Sequence, residues 1–140
     1  MIELRRSVPK DADDLLGVWR NAVDSSHEFL SAEDRAAVDP LVADYVGTAD
    51  LTIAALNGTP VAFMGASGNN IDSLFIDPRG QGLGIGRLLV DQVARPTTVD
   101  VNEQNAPGLA FYLHLGFQVT GRSELDDEGR PYPLLHLCRY

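Results

Sequence analysis

The run Gln81-Gly82-Leu83-Gly84-Ile85-Gly86-Arg87-Leu88-Leu89 constrains this chain more than any other stretch. An apolar run, Leu74-Phe75-Ile76, and a turn signal, Asp77-Pro78, precede it. Apolar residues at Leu88, Leu89, Val90 and Val93 follow at helical spacing. The pattern predicts a strand, a glycine loop and a helix N-terminus in succession. Such a junction offers unpaired backbone N–H groups and the positive end of a helix dipole, and glycines admit a ligand close to the backbone. The expected guest is a phosphate or diphosphate. The dipole alone contributes about 0.3–1 kcal/mol, so several N–H groups must share the binding. A P-loop would need Lys-Ser/Thr after the glycines, and none follows. A dinucleotide fingerprint would need a third glycine at position 85, 87 or 89, where Ile85, Arg87 and Leu89 stand. What remains is [Q/R]-x-x-G-x-G, filled by Gln81, Gly84 and Gly86.

A chain of 140 residues favours one domain with a core that needs neither disulfide nor metal. The formal net charge of -9 disfavours nucleic-acid and anionic-membrane partners and suits a cationic one. The single cysteine, Cys138, excludes an internal disulfide, fits a reducing compartment and reads as a buried strand residue. Residues 1–6 carry no apolar leader, and no stretch approaches membrane-spanning length, so the expected location is the cytoplasm.

Taken in order, residues 2–6 read as a strand. Pro9 opens a helix with Asp11, Asp13 and Asp14 near its positive end, and Leu15, Val18, Trp19, Ala22 and Val23 recur along it, with Trp19 in the core. Residues 25–30 break the pattern. Ser31 caps a second helix running to Gly47, with Pro40 set to kink or split it. Strands at 51–56 and 60–64 flank Asn57-Gly58, a strong hairpin signal. A strand at 71–76 leads into the loop, whose helix is expected to end near Arg95-Pro96. A strand at 97–101, a helix at 105–115 ended by Gly116, and strands at 117–120 and 132–137 complete the chain. The order of elements gives a mixed α/β sheet.

A second motif lies downstream. Val99-Asp100-Val101-Asn102-Glu103-Gln104-Asn105 leads to Ala110-Phe111-Tyr112-Leu113-His114-Leu115-Gly116-Phe117. Asn105 can cap its helix, and Tyr112 lies off the face shared by Phe111 and Leu115. The glycine loop followed by V-N-x-x-N-x-x-A-x-x-F-Y-x-x-x-G-F resembles the GNAT family of N-acetyltransferases over most of the chain. Residues 25–35, 101–105, 119–123 and 131–135 resemble its bacterial YjaB-type subgroup in particular.

The resemblance implies a single-domain GNAT fold: a mixed, mostly antiparallel sheet of about seven strands, splayed at its centre and flanked by about four helices. It implies direct acetyl transfer from acetyl-CoA, the cosubstrate, to a primary amine, with no metal. The acceptor stays open between a protein lysine, a protein N-terminus and a small amine, and the oligomeric state between monomer and homodimer. Pantetheine would bond backbone groups of Leu74, Phe75 and Ile76 like an added strand. The diphosphate would sit on N–H groups of Gln81, Gly82, Leu83, Gly84, Ile85, Gly86 and Arg87, and Arg87 could add a charge-assisted contact. Tyr112 would be the general acid that protonates the departing thiolate. Asn105 would bond pantetheine or only cap its helix. A lysine-like amine has a pKa of ~10.4, so freeing it at pH 7 costs ~4–5 kcal/mol. Asp100 sits twelve positions before Tyr112, where some relatives carry a catalytic Glu; His27, Glu28, Asp72, Glu103 and a water chain compete for the role of base. Residues 25–30 and 126–133 would line the acceptor site. Gly80, where relatives are often bulky, is expected to loosen the turn, and His114 to weaken a contact to the coenzyme's 3′-phosphate. Two alternatives remain: a non-catalytic acyl-CoA-binding module of the same fold, and a nucleotide-binding domain.

Overall fold

The structure, a computed structural model, describes residues 1–26 and 30–140. Among these the chain forms seven strands and four helices, as the sequence leads one to expect. They are β1 (Ile2–Arg6), α1 (Ala12–Ser26), α2 (Ala32–Thr48), β2 (Thr52–Leu56), β3 (Thr59–Ser67), β4 (Asn70–Ile76), α3 (Ile85–Val90), β5 (Thr97–Asn102), α4 (Ala106–His114), β6 (Gln118–Ser123) and β7 (Leu134–Arg139). Hydrogen-bonded neighbours run β1-β2-β3-β4-β5-β7-β6. The pairings of β1 with β2, β2 with β3, β5 with β7 and β6 with β7 are antiparallel, while β4 and β5 run parallel. The chain divides into two compact units, Met1–Gly65 with Ser73–Gln92, and Ala66–Asp72 with Val93–Tyr140.

In the first unit, Asn57 and Gly58 take φ of 53° and 88° at the tip of the β2–β3 hairpin. Positive φ at both central residues matches the right-handed twist of the strands it joins. The Asn57 side chain also accepts a 2.9 Å hydrogen bond from the N-terminal ammonium. The helical periodicity of α1 puts Leu15, Val18, Trp19 and Val23 into a core shared with Val46, Leu51, Ile53 and Phe63. Trp19 is thus a core residue, as its spacing implied. Asp11 stands just before α1. It is buried, accepts the Val8 N–H at 2.8 Å and receives both Arg5 nitrogens at 2.9 and 3.0 Å. The Arg5 hydrogen bond holds its carboxyl down at about 2. Ser31 caps α2 by accepting the Asp34 N–H at 3.1 Å. Pro40 does not split this helix, which runs unbroken from Ala32 to Thr48. Asp39, just before it, is clamped by Arg20 from α1 and by Arg35 one turn back, which pins the turn that the proline weakens.

The helix after the glycine loop is shorter than expected. It stops at Val90 rather than near Arg95. The Gln92 N–H turns back to Leu89 O in a tighter i to i−3 bond, and the buried Val93 anchors the chain as it turns into β5.

The second unit is built on β5, β7 and β6 with α4. Burial alternates along β5: Thr97, Val99 and Val101 are buried, Thr98 and Asp100 are exposed, and Asn102 is half-buried. Val99 pairs with Leu137 and Asp100 with His136 on β7. The two closing strands start one and two residues later than the sequence suggested, and β6 runs on to Ser123. Cys138 is buried in β7, as expected.

Candidate active site

Within the first unit, β4 delivers the chain to Asp77, whose backbone N–H bonds Val61 O on β3 at 2.8 Å. The Asp77 carboxylate accepts the Arg79 N–H at 3.0 Å, Arg79 Nε at 3.0 Å, Arg79 Nη2 at 3.1 Å and Asn21 Nδ2 at 2.8 Å. Burial pushes this carboxyl up, but the hydrogen bonds from Arg79 and Asn21 outweigh it and hold the group below its ordinary value. The turn beneath the loop is therefore a charged anchor.

Gly80 closes that turn, its N–H donating to Asp77 O at 2.8 Å. A Cβ here would lie 3.1 Å from Val61 Cγ2 and 3.2 Å from Ile85 Cδ1. Gly80 thus does not loosen the turn; it allows β3 and the loop to approach each other closely. Gly82 and Gly84 take φ of 77° and 76°, and Gly84 is the N-cap of α3 without any side-chain capping bond. The first-turn N–H groups of Ile85, Gly86 and Arg87 have no intrahelical carbonyl to bond. Ile85 and Gly86 are buried, whereas Gln81, Gly82, Leu83, Gly84 and Arg87 are exposed. Among the described residues Arg87 makes no ion pair. Leu74, Phe75 and Ile76 are half-buried on β4, and Phe75 packs 5.7 Å from Phe63.

The second unit holds the other expected groups. Asn105 caps α4, its Oδ1 accepting the Gly108 N–H at 3.1 Å. A Cβ on Gly108 would meet the Asn105 amide at 2.3 Å, so this cap requires glycine there. Tyr112 is buried, with edge-on contacts to Phe111 at 5.0 Å and Phe117 at 5.2 Å. Burial raises its phenol above the ordinary value, so it is protonated throughout the neutral range. His114 is exposed at the end of α4.

The candidate bases are differently placed. Glu103 accepts Arg122 Nε at 2.6 Å and Nη2 at 3.2 Å, and that pairing lowers its pKa. Asp72 is bonded by Ser67 and, at 2.8 Å, by Asn70. His27 and Glu28 lie outside the described residues. Asp100 accepts His136 Nδ1 at 2.6 Å, and the far ring nitrogen, Nε2, lies 2.7 Å from Ser123 Oγ. A carboxylate, an imidazole and a hydroxyl therefore stand in a chain across β5, β7 and β6. Neither His136 nor Ser123 was singled out from the sequence. The available signal was the alternation along β5, which turns Asp100 away from the core.

The same acetyltransferase pattern emerges from comparison with known proteins. The model of the acetyltransferase (GNAT) domain matches residues 25–119. The chain is 46% identical to a peptidyl-lysine N-acetyltransferase, YjaB, of Salmonella typhimurium, over 98% of this chain and 97% of that one.

The chain belongs to the GNAT acetyltransferase family.

The solution structure of apo-form YjaB from Escherichia coli matches this GNAT fold with a TM-score of 0.94 at 45% identity, covering 99% of this chain and 97% of that one. A more distant GNAT fold, the PaiA N-acetyltransferase of Thermoplasma acidophilum in complex with coenzyme A, matches with a TM-score of 0.76 at 18% identity, covering 100% and 99% of the two chains. Among the described residues of this GNAT protein, no helix is long and apolar enough to cross a membrane.

Proposed function

We propose that this acetyltransferase moves the acetyl group of acetyl-CoA to the side-chain amine of a peptide lysine, by direct attack within a ternary complex. The observation that carries the acceptor class is the 46% identity, over nearly the whole of both chains, to a peptidyl-lysine N-acetyltransferase. The net charge of -9 suits a cationic peptide. The single unpaired cysteine suits a cytoplasmic enzyme, and we treat residues 1–140 as one acetyltransferase domain.

In this reading the N–H groups of residues 81–87 take the coenzyme's diphosphate. Their uncapped helix start, the two positive-φ glycines and Arg87, which makes no ion pair among the described residues, support that role. Backbone groups of Leu74, Phe75 and Ile76 take the pantetheine arm. Asn105 holds the start of α4 in place. Tyr112 gives its phenolic proton to the sulfur as the C–S bond breaks. Its buried setting favours the neutral phenol, the form able to donate.

The test is turnover of acetyl-CoA with lysine peptides, read as free CoA, beside thermal stabilisation by CoA, ATP and NAD. Stabilisation by CoA above that by either nucleotide, together with peptide acetylation, supports the proposal. CoA binding without acetylation of any amine in a broad panel would favour a non-catalytic acyl-CoA-binding module instead.

A further inference from the structure

We propose that Ser123, His136 and Asp100 form the proton path that frees the acceptor amine, with Ser123 Oγ meeting the ammonium and His136 taking the proton. The inference rests on the lysine-acetyltransferase reading above and identifies the proton acceptor that such a reaction needs.

The geometry fixes the direction of transfer. An ionised carboxylate only accepts hydrogen bonds, so the 2.6 Å contact from Asp100 requires the proton on His136 Nδ1. In the neutral ring, Nε2 then carries the lone pair and accepts from the Ser123 hydroxyl at 2.7 Å. A proton entering at Ser123 Oγ passes on to Nε2, and the imidazolium that results faces the Asp100 carboxylate. The backbone is shaped for this chain of bonds. Asp100 and His136 are direct cross-strand partners. On β6 the register shifts between Val119 and Gly121, and Gly121 stands opposite His136. A Cβ at Gly121 would lie 3.3 Å from His136 Cδ2, so glycine there gives the ring its room.

Access and surroundings agree. The side chains of His136 and Asp100 are 37% and 45% exposed, on the face of β5 turned from its core side. Among the described residues, the side-chain hydrogen-bond partners of the imidazole are Asp100 from β5 and Ser123 from β6. Arg122, beside Ser123, is paired with Glu103 at 2.6 Å, which offsets its charge. The connection after Ser123 carries Glu124, Asp126, Asp127 and Glu128, which favour a cationic acceptor. Of the rival carboxylates, Glu103 and Asp72 are occupied by Arg122 and by Ser67 and Asn70, respectively.

The balance closes. The ammonium loses one proton through Ser123 to His136, which releases it to water. The free amine attacks the thioester carbonyl, forming the C–N bond. Collapse breaks the C–S bond as Tyr112 protonates the thiolate. The second proton leaving nitrogen restores the phenol through solvent.

The experiment compares wild type with His136→Asn, Ser123→Ala, the double variant and Asp100→Asn between pH 6.5 and 10. Acceptors are a lysine peptide, with an amine pKa of ~10.4, and a peptide α-amine, with a pKa of ~8. His136→Asn is expected to lower kcat on lysine about 100-fold or more at pH 7. The deficit should shrink toward pH 10 and be smaller for the α-amine, because each needs less help to lose its proton. KM for acetyl-CoA should not move. The double variant should be no worse than His136→Asn, since both act on one path. Asp100→Asn should show a milder loss with the same pH signature. A loss in His136→Asn that is uniform across pH and acceptors, or no loss, overturns the proton path while leaving the acetyltransferase reading standing. A wild-type protein that binds acetyl-CoA yet acetylates no amine overturns both.

Discussion

Asp77 lies at the end of β4 with its side chain 2% exposed, and it accepts hydrogen bonds from Arg79 and Asn21. Asp100 lies on β5 with its side chain 45% exposed, and it meets an imidazole. The first carboxylate is sealed and saturated. It holds the turn from which the glycine loop springs and has no capacity left for a substrate. The second stands open beside the imidazole of His136, whose Nδ1 lies 2.6 Å away. The contrast extends to the neighbourhoods. Under the loop, a Cβ at Gly80 would crowd Val61 and Ile85 at 3.1–3.3 Å, and rigidity is what a preorganised anion site needs. Around Asp100 the contacts are polar, single and exposed. The difference teaches that the first unit presents a fixed, saturated carboxylate beneath its loop, while the second presents an exposed carboxylate hydrogen-bonded to an imidazole.

That contrast can be broken at several points. The largest effect is expected at Tyr112. Tyr112→Phe should lower kcat about 10²–10³-fold, the scale of general acid catalysis. CoA binding by calorimetry should be unchanged, and unaltered turnover would remove Tyr112 as the acid.

Asp77→Ala should cost about 2–3 kcal/mol in denaturant melts, because it strips charge-assisted bonds from Asn21 and Arg79. It should also weaken CoA binding. The native carboxyl is held below its unfolded value, so its contribution is full above about pH 4 and fades as pH falls through the native pKa. The stability gap between wild type and Asp77→Ala should therefore narrow in acid. A constant gap would mean that lost packing, not charge, sets the effect.

Gly80→Ala should cost about 1–2 kcal/mol through crowding against Val61 and Ile85, with CoA affinity falling in step. A fully stable Gly80→Ala protein would show that the turn is looser than its packing implies. The smallest stability change is expected at Asp100. Asp100→Asn should alter the melting free energy by no more than about 0.5 kcal/mol, as for an exposed ion pair, while its kinetics change. A large loss of stability there would merge the two regions into one structural role.

Much of this was legible in the chain. The glycine spacing, the Asn57-Gly58 hairpin, the Ser31 and Asn105 caps and the burial of Trp19 all follow from residues within a turn or two of one another. Those interactions are local, so backbone preference and side-chain period are enough to read them. The misreadings have a common cause. The unbroken α2 through Pro40 and the packed role of Gly80 depend on neighbours supplied by other elements. A turn weakened by proline is held by Arg20 and Arg35, and a glycine that looks permissive in sequence is there because Val61 occupies its space.

The sequence by itself determined the family, the order of elements and the position of the glycine loop, because each rests on spacing along one chain segment. It also singled out Asp100 as a candidate base, on a strand at 97–101. Only the tertiary structure decided what Asp100 meets. His136 lies 36 residues further on, and the pairing of β5 with β7, with β6 alongside, brings imidazole and hydroxyl into line. Strand register is a long-range choice, and a shift of one residue would turn His136 to the opposite face.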